Sequence, residues 1–187
     1  NTSTSILVSK VNGNIVDTLM PSLSSLELSL GFMIGGVLRG LFVATGVLVV
    51  IFPFLSLFPV NFFTLYFYII MGSITFSLMG ILVGVFCKKF DQMSAVNNFF
   101  IAPLSFLSGT FYSVSKLPGP FDVISFFNPV FWLMDGVRFG ALGEAESNIF
   151  LGCLGIMSVN LILFLTVWRW FSVCLLYTSP SPRDGLL

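Results

Sequence analysis

Long apolar stretches alternate with short polar intervals along this chain. Arg39 and Lys88 enclose 48 uncharged residues, Asp91 and Lys116 enclose 24, and Glu146 and Arg169 enclose 22. About 20 apolar residues in a helix cross a bilayer's hydrocarbon core, so these gaps predict two crossings, one and one. Pro53 and Pro59-Val60-Asn61 divide the longest gap. The predicted spans are therefore about 32–58, 62–86, 95–112 and 149–171. Ser24-Ser25-Leu26-Glu27 has the S-x-x-E form of a capping box, which allows the first helix to begin there, ahead of the membrane. Gly31, Gly35, Gly36 and Gly40 follow at short spacing. Close helix approach and the general glycine richness of membrane helices both account for them.

The intervals carry their own patterns. Residues 113–148 form a region that is neither span nor simple loop, with apolar pieces at Phe121–Phe127 and Val130–Leu142 too short to cross. Val130, Leu133, Met134, Val137 and Ala141 make an i, i+3, i+4, i+7 face in the second piece, with Asp135 and Arg138 placed to pair on the other side. Pieces of this kind form interfacial or re-entrant helices where protein or water covers the backbone. Upstream, Val11, Ile15, Leu19 and Leu23 recur every four residues within 5–24, until Pro21 bends or ends the helix. Pattern alone leaves two roles open for this amphipathic segment: docking onto a partner, or lying on the membrane surface.

Charge sets the orientation. With the N-terminal segment in the cytoplasm, Lys10, Arg39, Lys88, Lys89 and Arg169 lie inside, and Lys116 and Arg138 lie outside. Excess Lys and Arg mark the cytoplasmic side, so both ends of this four-span chain are expected inside.

Composition narrows the chemistry. The 187 residues contain no histidine, which excludes Ser-His-Asp and Cys-His nucleophile systems, HExxH zinc sites and histidine-ligated haem. Cys87, Cys153 and Cys174 form no CxxC pair and read as small apolar residues, so neither a metal site nor a catalytic residue is expected. Zero net charge gives no reason to expect nucleic acid. No GxxxxGK[ST] loop is present, so nucleotide hydrolysis by that route is not this chain's work.

Two stretches carry a specific likeness. Lys10-Val-Asn-Gly-Asn14-Ile-Val-Asp17-Thr-Leu-Met-Pro21-Ser-Leu23-Ser24-Ser-Leu-Glu27, followed by Gly31, Gly35 and Arg39-Gly40, resembles the cytoplasmic loop and third span of ABC-2 type permeases. Pro103-Leu-Ser-Phe-Leu-Ser-Gly109-Thr-Phe-Tyr112-Ser-Val-Ser-Lys-Leu117-Pro118, then Asn128-Pro129 and Asp135-Gly136-Val-Arg138, resembles the family's fifth span and outer loop. The likeness covers 10–171 and is strongest to the nodulation and multidrug branch.

The resemblance implies an all-α polytopic membrane bundle holding four spans of an original six, with the first two missing. The start at Asn1 rather than Met is in keeping with that. It further implies a cytoplasmic segment, 1–31, whose coupling helix meets a separate ABC ATPase subunit through Gly13, Asn14, Ile15, Asp17, Leu19, Pro21, Leu23 and Glu27. Glu27 serves equally as the helix cap. Short outer re-entrant helices, carrying Pro118, Asn128, Pro129, Asp135, Gly136 and Arg138, help to close the exit side. The implied protein is a multi-pass permease of the bacterial inner membrane and not itself an enzyme. It exports an amphiphilic, glycan, lipid-linked or drug-like substrate, pairs with a second copy, and leaves ATP and Mg to the ATPase.

Three polar side chains are candidates for the pathway. Arg39 reads first as an arginine snorkelling to lipid phosphates, with a passage for an anionic group as the alternative. Asn97 and Asn98, early in the third span, read as interhelical hydrogen-bonding groups or substrate contacts. The 23 phenylalanines are accounted for mostly as lipid-facing bulk. A lipid-modifying membrane enzyme would need ionisable residues gathered inside the spans, and a channel would need rings of charge or a filter loop. Neither pattern is seen. The Ser/Pro-rich change of composition places 172–187 as a disordered or foreign tail.

Overall fold

The computed structural model describes residues 2–11, 24–55, 59–87, 89–109 and 127–178. Every regular element among them is helical. In chain order these are α1 (Thr2–Val11), α2 (Ser25–Leu55), α3 (Phe62–Phe86), α4 (Phe90–Val96), a π-helical stretch (Asn97–Ile101), α5 (Ala102–Phe106), α6 (Pro129–Leu142) and α7 (Ile149–Thr178). Among the described residues, three segments are long and apolar enough to cross a membrane: Ser25–Ile51, Phe62–Phe86 and Ile149–Val173.

The start of α2 is set by the residues expected to set it, and other helix ends by caps that the sequence reading did not assign. The capping box at the start of α2 is formed in both directions: Ser24 N donates to Glu27 Oε2 at 2.8 Å, and Glu27 N donates to Ser24 Oγ at 3.3 Å. This satisfies two backbone donors that a helix start otherwise leaves open. Asn61 caps α3 by accepting from Thr64 N at 3.4 Å. Asn128 caps α6 by accepting from Val130 N at 3.0 Å, and Pro129 occupies the first turn, where its missing N–H costs nothing. Gly143 ends α6 at φ 79°, a left-handed backbone that glycine adopts without a Cβ penalty.

The second and fourth predicted spans begin where expected, at Phe62 and Ile149. The first helix is longer than its predicted span, starting at the cap and continuing through Pro53 to Leu55. The segment predicted to cross near 95–112 is helical from Phe90 to Phe106 in three pieces, and its predicted end lies outside the described residues. α7 runs on to Thr178, into the segment set aside as a tail.

α3 is the hub of the bundle, with α1, α2, α6 and α7 all packed against it. Small residues bring the helices together. A Cβ on Gly40 would lie 2.5 Å from Ser73 Oγ, and the Gly36 position is equally closed by Ser77. Gly31 and Gly35 face open space, so only part of the glycine series makes a contact. The near approach lets Ser77 Oγ donate to Met33 O of α2 at 3.2 Å. Small residues and interhelical hydrogen bonds supply the attraction that the hydrophobic effect cannot give between helices in lipid.

Apolar side chains cluster at both ends of α3. Ile6, Leu28, Leu78, Ile81, Val167 and Phe171 gather where α1 packs, and Tyr68, Leu133 and Ile156 gather where α6 packs. Between the clusters lies one buried polar link. Thr75 Oγ1 donates to Asn160 Oδ1 at 2.8 Å, and Asn160 Nδ2 donates to Met71 O at 3.3 Å, tying α7 to α3.

Candidate functional site

An open groove of about 580 Å³ runs along α3 from Tyr68 to Val83. Those 15 steps measure about 22 Å at the helical rise of 1.5 Å per residue. α2 forms one wall with Arg39, Gly40 and Val43, and Thr2 and Ser3 of α1 lie at one end. Val130, Leu133, Met134 and Val137 of α6 close the other end. These four belong to the apolar face expected from the sequence; what that face covers is the groove mouth. Asn97 and Ile101, the first and last residues of the π-helical stretch, also line the groove. π-helical turns inside α-helices occur often at functional positions.

Arg39 and Asn97, two of the three pathway candidates, therefore line the same groove. Asn98 is exposed and does not line the groove. Arg39 lies 14 residues into α2, about 21 Å along its axis. The spans were expected to hold no ionisable group in their interiors, and the early start of α2 corrects that: Arg39 lies well inside Ser25–Ile51.

α6 is fastened at the groove's far end by a network that joins four parts of the chain. Asp135 is only 2% exposed and turns away from Arg138. Its carboxylate accepts from Glu146 N at 2.8 Å, Ser147 N at 2.9 Å and Ser147 Oγ at 2.5 Å. Arg138 donates to Glu146 Oε1 at 2.8 Å and to Gly109 O at 2.8 Å. The expected Asp135–Arg138 pair is thus replaced by two outward links, one into the turn before α7 and one shared with the chain after α5. Asn128 Nδ2 donates to Leu104 O at 2.7 Å, holding the start of α6 to α5. Asn61 N donates to Gly140 O at 3.0 Å, and Tyr68 Oη donates to Ile149 O at 2.9 Å.

Glycine makes these contacts fit. A Cβ on Gly140 would lie 2.6 Å from Leu65 Cα, and Gly136 is closed by the Tyr68 ring. Pro129 sits in the first turn of α6. Of the predicted outer-region residues, Asn128, Pro129, Asp135, Gly136 and Arg138 are therefore on or beside one helix, and Pro118 lies outside the described residues. So do Gly13, Asn14, Ile15, Asp17, Leu19, Pro21 and Leu23 of the expected coupling helix. Glu27 is described, and it is the α2 cap. Just upstream, Ile6 and Leu7 of α1 are buried, and a Cβ added at Gly84 of α3 would lie 3.0 Å from Ile6 Cβ.

Sequence reasoning missed Asn160, Thr75, Tyr68 and Ser147. For Asn160 a signal was present, since it is an amide within a 22-residue uncharged gap. Among the described residues no group of three or more His, Cys, Asp or Glu is arranged to hold a metal ion.

Long apolar helices joined by glycine, serine and a buried amide define a polytopic α-helical membrane protein. Residues 1–142 match the family ABC-2 type transporter, and the chain belongs to that family. It is 33% identical over 172 residues to the inner membrane transport permease YadH of Escherichia coli strain K12, covering 89% of this chain and 65% of that protein. The protein of that name in Shigella flexneri gives the same figures. Nodulation protein J of Rhizobium leguminosarum bv. viciae is 26% identical over 95 residues, which is 51% of this chain and 36% of that protein. The chain thus spans just under two thirds of the length of the permeases it matches. No solved structure matches it.

Proposed function

We propose that this chain is part of the permease subunit of an ATP-driven exporter, in which a separate ABC ATPase subunit binds ATP and Mg and supplies the work. The groove carries the reading: a path about 22 Å long, with polar groups along part of its length and a fastened helix across one end. With Arg39 inside a span, Lys10, Lys88, Lys89 and Arg169 against Lys116 and Arg138 still support an α6 end outside and an α1 end in the cytoplasm of a bacterial inner membrane. Residues 13–23 come next in sequence after α1, and we assign them as the coupling helix that meets the ATPase. A second copy completes the translocation path.

In this mechanism ATP-driven closure of the ATPase subunits pushes the coupling helix against α1 and α2. The two states differ in whether the α6 network is closed or open, and the ATPase biases one against the other. The chain performs no bond chemistry and acts as the moving part.

The test is coupling. The protein is reconstituted with its ATPase subunit, and substrate-stimulated ATP hydrolysis is measured for Asp17→Arg and Leu19→Asp. Loss of stimulation with normal membrane insertion is expected. Full stimulation in both variants overturns the assignment of 13–23 as the coupling helix.

A further inference from the structure

We propose that Cys153, Met157 and Met71 form a binding site for a soft monovalent metal ion, Cu(I). The site lies apart from the groove described above and does not rest on the transport reading.

A second groove, of about 520 Å³, lies between α2, α3 and α7. Three of its nine described lining residues are methionines, Met33, Met71 and Met157, in a chain with seven methionines among 187 residues. At 3.6 residues per turn, Met71 and Ile74 of this groove stand on the opposite side of α3 from Gly72, Ser73 and Phe76 of the first one. On α7, Cys153, Met157 and Asn160 follow at i, i+4 and i+7 and share one stripe. The Cys153 thiol donates to Met157 Sδ at 4.0 Å. Asn160 Nδ2 donates to Met71 Sδ at 3.6 Å, which holds the α3 thioether against the same stripe. Sulfur from two helices thus gathers at one place.

Thiolate and thioether sulfur select soft ions such as Cu(I). Two sulfurs each about 2.3 Å from one metal ion stand about 4.0 Å apart in a trigonal arrangement. Cys153 and Met157 already have that spacing. On binding, the Cys153 S–H bond breaks, an S–Cu bond forms and the proton passes to water, with no change of oxidation state. One thiolate and one monovalent cation sum to zero charge, and two neutral thioethers complete the shell. No described residue lining this groove is charged, and an uncompensated charge in apolar surroundings is costly. A divalent ion in the same shell keeps a net positive charge, so the site favours Cu(I) over Zn(II). Histidine and a CxxC pair, whose absence gave no reason to expect a metal, are not needed for such a shell, because methionine supplies its neutral ligands. Cys153 is four residues past Ile149, about 6 Å along α7 from its start. An ion therefore reaches it from the α6 end of the bundle without crossing the hydrocarbon core.

The experiment is an anaerobic titration of the full chain in maltoside micelles with Cu(I) buffered by bathocuproine disulfonate, with copper-edge X-ray absorption of the bound ion. One Cu(I) per chain is expected, with sulfur ligands alone at about 2.3 Å. Changes around a metal's ligands cost about 10–100-fold in affinity, and losing a ligand costs at least as much. Cys153→Ser is expected to weaken binding about 100-fold, and Met71→Leu and Met157→Leu about tenfold each. Leucine for methionine nearly conserves volume, so the methionine variants keep the fold and the test does not depend on Cys153→Ser alone. Cys87→Ser and Met93→Leu, outside the site, leave the affinity as in the parent.

A parent that takes up no Cu(I) overturns the proposal. So does binding at parent strength in any of the three site variants, which is the result if these sulfurs only fill space. Nitrogen or oxygen ligands in the absorption spectrum, or displacement of Cu(I) by equimolar Zn(II), overturn it as well.

Discussion

Replacing Asp135 with alanine tests the α6 network most directly. The substitution removes the acceptor of three hydrogen bonds, from Glu146 N at 2.8 Å, Ser147 N at 2.9 Å and Ser147 Oγ at 2.5 Å. Bonds to a charged acceptor contribute roughly 1.5–3 kcal/mol each. The simple sum overstates the loss. Ser147 and Glu146 are half-buried, so water replaces part of what is removed. Deleting a buried carboxylate also relieves its desolvation, and about 3 kcal/mol of destabilisation is left. For a chain of this size that lowers the unfolding midpoint by about 6–12 °C. Thermal unfolding in detergent, followed by circular dichroism, reads it. Glutamyl endopeptidase provides a second measure, because a released turn exposes Glu146, half-buried in the parent, to cleavage. Asp135→Asn keeps one acceptor oxygen and falls between parent and alanine. An alanine variant whose midpoint stays within about 2 °C of the parent, under 1 kcal/mol on the same scale, would refute the reasoning.

Three further outcomes are expected. Gly140→Ala places a Cβ 2.6 Å from Leu65 Cα and costs about 1–3 kcal/mol by overpacking, whereas Gly35→Ala, facing open space, leaves stability unchanged or raises it by up to about 1 kcal/mol; paired melts compare them. Asn160→Ala loses about 1–2 kcal/mol, and a double-mutant cycle with Thr75→Val shows coupling between the two positions if their hydrogen bond carries that loss. Arg138→Gln gives up the link to Glu146 and weakens the hold on Gly109; it costs about 1–2 kcal/mol, less than Asp135→Ala because Arg138 is more exposed, and protease accessibility of the 143–148 turn ranks the two.

How much of this was legible in the sequence varies by feature, for physical reasons. Helix ends were legible where one residue acts locally, as with the Ser24 and Glu27 cap. Membrane spans were legible because each depends on the composition of a single segment. The inward turn of Asp135 was hidden. Periodicity read from Val130, Leu133, Met134 and Val137 assigns α6 one apolar side, but Gly136 and Gly140 give it a second buried side with no bulky residue to mark it. The depth of Arg39 was hidden for a related reason. It depends on the register of Gly40 against Ser73, which no count along α2 contains. The glycine series showed the same limit, since spacing does not say which of the four glycines meets a neighbour. Asn160 was visible as an isolated amide, but its partner stands 85 positions away.

That separation gives assembly a direction. The ribosome delivers α3 long before α7, and Thr75 waits with its hydroxyl bonded to Met71 O of its own helix at 2.9 Å. At Thr75 the early helix therefore leaves no hydroxyl bare, whereas its Tyr68 Oη has yet to meet Ile149 O of α7. The hydrogen bonds described for the Asn160 side chain all run to α3, so an undocked α7 carries a bare amide into lipid until it finds that surface. The same amide that joins the finished bundle thus makes leaving α7 undocked costly until it reaches α3.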